Sequence, residues 1–329
     1  MHDRPRTATR EHESRFRYAA EGFDRAHLQR IDPCWQAEAR GSDQAHALIV
    51  WNDRSAVIED RALRLPLRGL IDLAEPLFLG IEQGRPLFAL DLSDMQRTQV
   101  EALLHGGRLD ELRRIGPLLS YADAGVLAYA RALCHWHRTQ LHCGRCGRPT
   151  RVERAGHQRV CTGPDCACVH FPRTDPAIIV LVEHPDDDAA GPRCLLGRSA
   201  RFPERMFSTL AGFVEPGETL EQAVAREVFE ESGIELDRIR YFGSQAWPFP
   251  ASLMIGFHAR ARTTAIRLED DEIIEADWFT PEALDAAGEW GDAAELCLPR
   301  RDSIARALIE DWRGRVRSAG GPASGWTED

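Results

Sequence analysis

Three glutamates lie close together in residues 212–234, which read GFVEPGETLEQAVAREVFEESGI. Glu227, Glu230 and Glu231 are spaced i, i+3 and i+4, so on a helix their carboxylates project from one face. Such a cluster of like charges destabilises an isolated helix unless other charges compensate for it. The spacing predicts either a site for Mg²⁺ or Mn²⁺, which prefer oxygen ligands and leave positions for substrate phosphates, or a solvated acidic face answered by Arg226.

Five of the nine cysteines lie between residues 143 and 168. Cys143 and Cys146 form a C-x₂-C turn, and Cys161 and Cys166 form a C-x₄-C turn fourteen residues further on. Four thiolates on two tight turns are typical of a structural zinc with a closed ligand shell, which leaves no position for a catalytic water. Cys168 is a competing fourth ligand, but a C-x-C pair on an extended chain points to opposite sides, which favours Cys166. Free intracellular thiols and a nucleic-acid-binding ribbon are the alternatives.

The stretch SQAWPFPAS, residues 244–252, places two prolines between and after large aromatic rings. Pro248 and Pro250 have a fixed φ and no N–H group, so this segment can neither continue a helix nor lie in a central strand. Trp247 and Phe249 are therefore presented on a rigid loop. They either fill a core beneath the loop or contact a substrate.

Composition restricts the function further. The chain has 329 residues and a formal net charge of −11, which disfavours a protein that binds chiefly by neutralising many nucleic-acid phosphates. All 41 basic residues are arginine. The absence of lysine excludes P-loop phosphate transfer and Schiff-base chemistry. The amino terminus has no apolar signal-like segment, and the apolar runs are too short to cross a bilayer, so we expect a cytoplasmic protein with no membrane partner.

Helices and strands that position these residues can be predicted from the periodicity of apolar residues. Thr219, with Gln222 three residues later, predicts a capped helix over 219–232 that ends at Gly233. The remaining predicted elements are a hairpin with its turn at 82–85, a helix beginning after Pro117, strands at 177–184, 193–199, 239–245, 253–261 and 273–279, and a helix at 301–313. We expect an amino-terminal α+β domain (1–137), a zinc ribbon (138–172), a mixed α+β domain (173–315) and a disordered tail (316–329).

The glutamate segment resembles the complete Nudix box, G-x₅-E-x₇-R-E-U-x-E-E-x-G-U, where U is apolar, with every defined position matched from Gly212 to Ile234. The resemblance implies an α/β/α sandwich with a mixed sheet, and metal-dependent hydrolysis of a nucleoside diphosphate linked to another group. It implies that Glu227, Glu230 and Glu231 bind the divalent metal and that Arg226 and Glu218 orient them. Glu231, or a residue outside the box, would help deprotonate water.

With a ribbon before the box and the aromatic loop after it, the chain resembles the NADH pyrophosphatases, whose motif is S-Q-P-W-P-F-P-x-S; here Ala246 replaces a proline. This resemblance implies cleavage of NAD(H) to NMN(H) and AMP with Mg²⁺ or Mn²⁺, removal of NAD caps from RNA, and a homodimer. It also implies further metal ligands at Ala211 and Glu272, although Glu272 fits a solvated acidic segment equally well. The substrate contacts that it implies are Phe171, Gln245, Ala246, Trp247, Pro248, Phe249, Pro250, Ala251, Ser252 and Ala305. A Nudix enzyme preferring ADP-ribose or another dinucleotide, and an RNA-binding regulator with an inert Nudix domain, are the alternatives.

Overall fold

The computed structural model describes residues 16–20, 22–184, 191–269 and 271–319. The chain divides into two compact units. The first comprises Met1–Thr174 together with Ala246–Ala251, and the second comprises Asp175–Gln245 and Ser252–Asp329. None of the helices described is both long enough and apolar enough to cross a membrane.

The first unit begins with a domain built on a seven-stranded sheet. Its strands are β1 (His46–Trp51), β2 (Arg54–Ile58), β3 (Arg61–Ala62), β4 (Arg64–Pro66), β5 (Leu77–Glu82), β6 (Arg85–Asp91) and β7 (Arg108–Glu111). Its helices are α1 (His27–Ile31), α2 (Pro33–Gly41), α3 (Arg97–Leu103), α4 (Leu112–Ile115) and α5 (Tyr121–Thr139). The strand order is β3-β2-β1-β6-β5, with β4 on β1, β7 on β2, and β1 parallel to β6.

Both faces of this sheet are buried, because side chains of β1 alternate between two apolar clusters. Leu48 and Val50 pack with α5, whereas Ala47 and Ile49 pack with residues of α2 and α3. The predicted hairpin is confirmed, since β5 and β6 pair antiparallel with Glu82 opposite Arg85. The predicted helix after Pro117 is also confirmed. It begins at Tyr121, and the preceding Ser120 caps it, because the Ser120 side chain accepts a hydrogen bond from the Asp123 N–H group.

A small three-stranded antiparallel sheet completes the first unit. Its strands, in the order β10-β9-β8, are β8 (Thr150–Glu153), β9 (Gln158–Cys161) and β10 (Val169–His170). The cysteine-bearing turns lie at the ends of this sheet. His137 of α5 donates a hydrogen bond to the Gly156 carbonyl and accepts one from Arg159, which fixes the ribbon to the helix that precedes it.

The second unit contains a six-stranded mixed sheet between two helices. Its elements are β11 (Asp175–Glu183), β12 (Cys194–Ser199), β13 (Leu210–Phe213), α6 (Leu220–Ser232), β14 (Leu236–Trp247), β15 (Ser252–Ala261), β16 (Ile273–Phe279), α7 (Pro281–Asp285), β17 (Gly288–Glu289), β18 (Cys297–Leu298) and α8 (Ile304–Ala319). The strand order is β14-β15-β11-β12-β16, with β13 on β11; β17 and β18 form a separate pair.

The two faces of β11 explain the sandwich. Ile178 and Val180 pack into one cluster with Val224 of α6. Ile179, between them, points to the opposite face of the sheet. Its partner on β15 is Gly256, which lies against Ile304 of α8, so α8 covers this opposite face. The α/β/α sandwich with a mixed sheet is therefore confirmed.

Two predicted boundaries were wrong. The strand β14 extends to Trp247 instead of ending near residue 245; as an edge strand it tolerates Pro248 at its end. The helix α8 continues to Ala319 instead of ending near residue 313, because Val316 is buried and prolongs its apolar face. Residues 316–319 are thus helical, not part of a disordered tail, and residues 320–329 lie outside the described part of the chain.

Candidate active site

The helix α6 carries the glutamates and is capped at both ends, as predicted. The Thr219 side chain accepts a hydrogen bond from the Gln222 N–H group, and the Gln222 side chain accepts one from the Thr219 N–H group. At the other end Gly233 has a φ of 69° and donates its N–H to the Phe229 carbonyl. These caps satisfy backbone groups that a helix leaves unpaired and fix where the acidic face begins and ends.

Arg226 connects the acidic residues of the loop and the helix. Its guanidinium group lies 2.6 Å from a Glu218 carboxylate oxygen and 2.9 Å from carboxylate oxygens of both Glu227 and Glu230. It also donates a hydrogen bond to the Phe213 carbonyl. Hydrogen bonds from Arg226 lower the pKa of Glu218 to about 2, and the same contacts raise the pKa of Arg226. The predicted orienting role of these two residues fits this geometry.

Gly212 allows the Glu227 carboxylate to lie directly against the β13 backbone. A Cβ atom on Gly212 would stand 1.9 Å from the Glu227 carboxyl carbon, so a larger residue there would displace the carboxylate. Burial raises the pKa of Glu227, and the negative charges of Glu230 and Glu272 act in the same direction. Glu272 is therefore within electrostatic reach of the helix, and its metal-binding role stays a prediction.

The other residues predicted for this unit differ in exposure. Glu231 is buried at 5% exposure, whereas Glu230 and Glu272 are exposed. Ala211 lies on β13 opposite Ile179 of β11. Ala305, in the first turn of α8, is buried. Within the described ranges, the groups that bring three or more ligand atoms within 4.8 Å of one another are groups of cysteine and histidine, and the glutamates do not reach that spacing.

The predicted zinc cysteines are brought together. The thiols of Cys143, Cys146, Cys161 and Cys166 all lie within 4.8 Å of one another. The Cys143–Cys166 and Cys146–Cys161 sulfur distances are 3.8 and 3.3 Å. Tetrahedral zinc with bonds of about 2.3 Å needs sulfurs roughly 3.8 Å apart, so these thiols fit that ion.

Cys168 lies in a different group, with Cys143 and His170. Its carbonyl accepts a hydrogen bond from the Cys161 N–H group, which keeps this residue in the extended ribbon. At the first turn, N–H groups of Arg145 and Cys146 lower the pKa of the Cys143 thiol to about 6, which favours the thiolate that binds metals.

Residues 246–251 of the aromatic loop belong to the first unit, where the rings of Trp247 and Phe249 pack against each other and against Tyr18. The Trp247 and Phe249 centroids are 5.1 Å apart, and they lie 5.9 and 5.5 Å from the Tyr18 ring in edge-on contacts. The Arg113 guanidinium lies 4.7 Å from the Phe249 centroid. These contacts are those of the core-packing alternative. The rings remain half-buried, however, and their role in substrate binding stays a prediction.

A cavity of about 400 Å³ opens beside this loop within the first unit. It is lined by Asn52, Asp53, Arg54, Glu111, Leu112, Arg113, Arg131, Phe249 and Pro250. Phe171, the other predicted contact in this unit, is 63% exposed.

Gln245 occupies a different environment from the rest of its motif. Its side chain is 1% exposed, donates a hydrogen bond of 2.7 Å to the Asp302 carbonyl and accepts one of 2.8 Å from the Ile304 N–H group. It therefore caps α8. This role was missed because no sequence signal links Gln245 to a helix that begins 59 residues later. The contacts of Tyr18, Arg113 and Arg131 with the loop were missed for the same reason.

Comparisons with known proteins agree with these features. Family models match a NADH pyrophosphatase-like rudimentary NUDIX domain at residues 44–136, a NADH pyrophosphatase zinc ribbon domain at 138–171 and a NUDIX domain at 173–298. Among solved structures, a NUDIX hydrolase from Nitrosomonas europaea matches with a TM-score of 0.42 and 22% identity, over 55% of this chain and 94% of that one.

Two curated relatives differ in length. The chain is 44% identical over 200 residues to the NAD-capped RNA hydrolase NUDT12 of Macaca fascicularis, a match that covers 59% of this chain and 42% of that protein. It thus spans less than half the length of that relative. It is 40% identical over 305 residues to the NAD-capped RNA hydrolase NudC of Mycobacterium tuberculosis, over 88% of this chain and 92% of NudC. The chain therefore belongs to the NADH pyrophosphatase-type family of Nudix proteins, in which a zinc ribbon separates a rudimentary NUDIX domain from a NUDIX domain.

Proposed function

We propose that this protein hydrolyses the pyrophosphate bond of NAD(H) to NMN(H) and AMP and removes NAD caps from RNA 5′ ends. The observation that carries the proposal is the acidic face of α6, where Arg226 holds Glu218, Glu227 and Glu230 beside the tight backbone at Gly212. A relative that matches 88% of this chain is an NAD-capped RNA hydrolase, which supports the same substrate.

The carboxylates are oxygen donors of the kind that Mg²⁺ and Mn²⁺ prefer. The residues that would hold the metal are Glu227, Glu230, Glu231 and Glu272 and the Ala211 carbonyl. Burial is the largest cause of the raised pKa of Glu227, and the negative charges of Glu230 and Glu272 raise it further. A divalent ion bound by these residues would neutralise charge on the pyrophosphate and would lower the pKa of a water.

The chain's own groups have separate tasks in this proposal. Arg226 holds the Glu227 and Glu230 carboxylates in place through contacts of 2.9 Å. Glu231, which is buried, removes a proton from the attacking water, unless a residue outside the box does so. A positioned general base contributes about 10²- to 10⁴-fold to the rate.

The aromatic loop and Phe171 provide apolar rings for the dinucleotide. We assign direct substrate contact to the half-buried or exposed positions Ala246, Trp247, Phe249, Pro250, Ala251 and Ser252, and to the exposed Phe171 ring. Gln245, Pro248 and Ala305 are buried, so their effect on the substrate would act through the backbone that they fix.

The ribbon holds one structural zinc on Cys143, Cys146, Cys161 and Cys166. Their mutual spacing supports this assignment, and a closed shell of four thiolates offers no position for chemistry.

We also propose that the protein acts as a homodimer in the cytoplasm. Light scattering coupled to size-exclusion chromatography should give twice the 36.9 kDa chain mass, and a single-chain mass would exclude the dimer.

Incubation with NADH and Mn²⁺, followed by separation of the products, tests the function. We expect AMP and NMNH in equal amounts. Intact NADH, with ADP-ribose cleaved instead, would favour a different dinucleotide preference. No cleavage of either compound, with RNA bound equally well by the wild type and by Glu231→Gln, would favour the RNA-binding regulator.

A further inference from the structure

The backbone of the aromatic loop lacks the hydrogen-bond donors that a strand or a helix would supply. Pro248 and Pro250 have no N–H group, and the Phe249 N–H group donates to the Trp247 carbonyl at 2.7 Å. The carbonyl of Pro248 therefore needs a donor from elsewhere in the fold, because a buried carbonyl without a partner is costly. Pro248 is itself buried.

Arg131 of α5 supplies that donor from 117 residues away in the sequence. Its Nη1 atom donates to the Pro248 carbonyl and lies 3.5 Å from the Pro250 carbonyl oxygen. Its guanidinium carbon lies 5.4 Å from the Phe249 ring centroid. One side chain thus contacts both the backbone and the ring at the tip of the loop.

Arg131 is held in place from its other side by the turn between β1 and β2. Its Nε atom donates to the Asp53 carbonyl at 3.2 Å, and Nη2 lies 3.5 Å from the Asp53 carboxylate. The Arg131 side chain is 10% exposed. Because the guanidinium is buried and bound on both sides, it has little freedom to move. It therefore fixes the loop relative to the β1–β2 turn.

We propose that Arg131 is a positioning residue for the aromatic loop. Through Arg131, the amino-terminal domain holds this loop in the conformation that binds the substrate. The inference rests on the proposed function, since it assigns a purpose to the loop. It differs from that function in concerning a residue of the rudimentary domain that is not expected to touch the reacting atoms.

A matched control is available on the same helix. Arg138 lies two turns after Arg131, contacts the same Asp53, and donates to Asp91 and Ser93 at 2.8 and 2.9 Å. No hydrogen bond or ring contact between Arg138 and the loop is found among the described residues. Arg131→Met and Arg138→Met each remove one guanidinium of α5 and keep an apolar stem, but only the first removes donors from the loop.

Hydrogen exchange followed by mass spectrometry reads the loop without requiring any activity. In a peptide covering residues 244–253 we expect Arg131→Met to speed exchange of the Phe249 amide about tenfold or more, and Arg138→Met to leave it within twofold of the wild type. Arg131→Lys keeps the positive charge but carries its donors on one nitrogen atom, so the exchange rate of the Phe249 amide should lie between those of the two methionine variants. Equal exchange in Arg131→Met and the wild type would overturn the proposal.

Steady-state kinetics on NADH then separate positioning from general destabilisation. For Arg131→Met we expect KM to rise about tenfold, a change of the size expected for one lost buried hydrogen bond, while kcat stays within threefold. Arg138→Met should lower the melting temperature without changing KM. A faster-exchanging loop with unchanged KM, or an equal KM effect in both variants, would overturn the positioning role.

The two proposals fail in different ways. An inactive wild type whose loop still exchanges faster in Arg131→Met would contradict the NAD(H) hydrolase function while confirming that Arg131 holds the loop. An active wild type with no loop change in Arg131→Met would contradict this inference alone.

Discussion

Arg226 contacts three carboxylates and one carbonyl, and this explains how a helix can carry several acids on one face. Without a cation, Glu227 and Glu230 would repel each other across one helical turn. The guanidinium lies 2.9 Å from both, and it also holds Glu218 of the preceding loop. A positive charge of the chain itself therefore offsets the repulsion on the acidic face, although oxygens of the three helix glutamates do not all lie within 4.8 Å of one another in the described part of the chain.

Glu231→Gln tests the proposed proton acceptor. The amide has nearly the same shape but cannot accept a proton, so we expect turnover of NADH to fall about 10²-fold or more. Circular dichroism and the melting temperature should change little. Glu221→Gln, on the exposed first turn of the same helix, is the control and should retain full turnover. Unchanged turnover in Glu231→Gln would assign the base to another residue.

Gly212→Ala tests the close approach of Glu227 to the β13 backbone. The added methyl group would stand 1.9 Å from the Glu227 carboxyl carbon, so the carboxylate must move and turnover should fall at least tenfold. Gly314→Ala is the opposite case, because its helical position has no atom within 4 Å of a Cβ. It should keep full turnover and raise the free energy of unfolding by about 0.5–1 kcal/mol. Retained activity in Gly212→Ala would contradict the packing described here.

At this scale the sequence was a good guide to residue types and a poor guide to partners. The i, i+3, i+4 spacing predicted the acidic face of α6. The resemblance over Gly212 to Ile234 implied that Arg226 and Glu218 orient the other glutamates, and the 2.6 Å contact between these two residues is compatible with that role. The burial of Gln245 and its bonds to Asp302 and Ile304 could not be predicted, since they depend on tertiary packing between distant segments.

Among the elements, the zinc ribbon is the one whose stability we expect to depend on metal ligands. Cys143→Ser removes one thiolate of the four, so we expect loss of the zinc and a melting temperature lower by several degrees. Cys168→Ser is the matched control, because Cys168 lies in a different group. Elemental mass spectrometry would measure the zinc content, and calorimetry would measure the melting temperature. Zinc loss in Cys168→Ser, with zinc retained in Cys166→Ser, would reverse the assignment of the fourth ligand.

The junction of α5 and the ribbon predicts a pH dependence of stability. Burial lowers the pKa of His137 to about 4, and its Nδ1 atom accepts a hydrogen bond from Arg159. The unfolded chain, with a histidine pKa of about 6.5, binds more protons between these values. The free energy of unfolding should therefore fall as pH falls from about 6.5 to about 4, by at most about 1.4 kcal/mol per pH unit for this group.

Urea unfolding at a series of pH values measures this dependence. In His137→Gln the slope over that window should be shallower than in the wild type, because the titrating group is gone. His27→Gln, on the exposed face of α1, should keep the wild-type slope. Equal slopes in wild type and His137→Gln would show that other groups carry the pH dependence.

The helices and strands themselves were largely predictable. Capping residues located both ends of α6, and the Gly-containing turn located the β5–β6 hairpin, because these signals are local. The errors occurred where tertiary packing extends an element, as in the last turn of α8 and the edge strand β14.

For the whole molecule, the amino-terminal domain is the part that the sequence explained least. Its sheet is buried on both faces, with α5 on one side and α2 and α3 on the other. Composition and periodicity predicted an α+β domain there, but offered no constellation of reactive residues. The structure groups residues 246–251 with this domain in one compact unit, which supports the proposed role of the domain in positioning the loop.

Parallel measurement of kcat/KM on NADH, NAD⁺, ADP-ribose and NAD-capped RNA, with Mn²⁺ present, tests the central claim most directly. We expect cleavage of NADH, NAD⁺ and NAD-capped RNA at the pyrophosphate, with kcat/KM at least tenfold above that for ADP-ribose, since ADP-ribose lacks the nicotinamide ring that an aromatic loop would contact. Equal or faster cleavage of ADP-ribose would contradict the claim that the aromatic loop selects dinucleotides. No cleavage of any of the four compounds would contradict the proposed hydrolase activity.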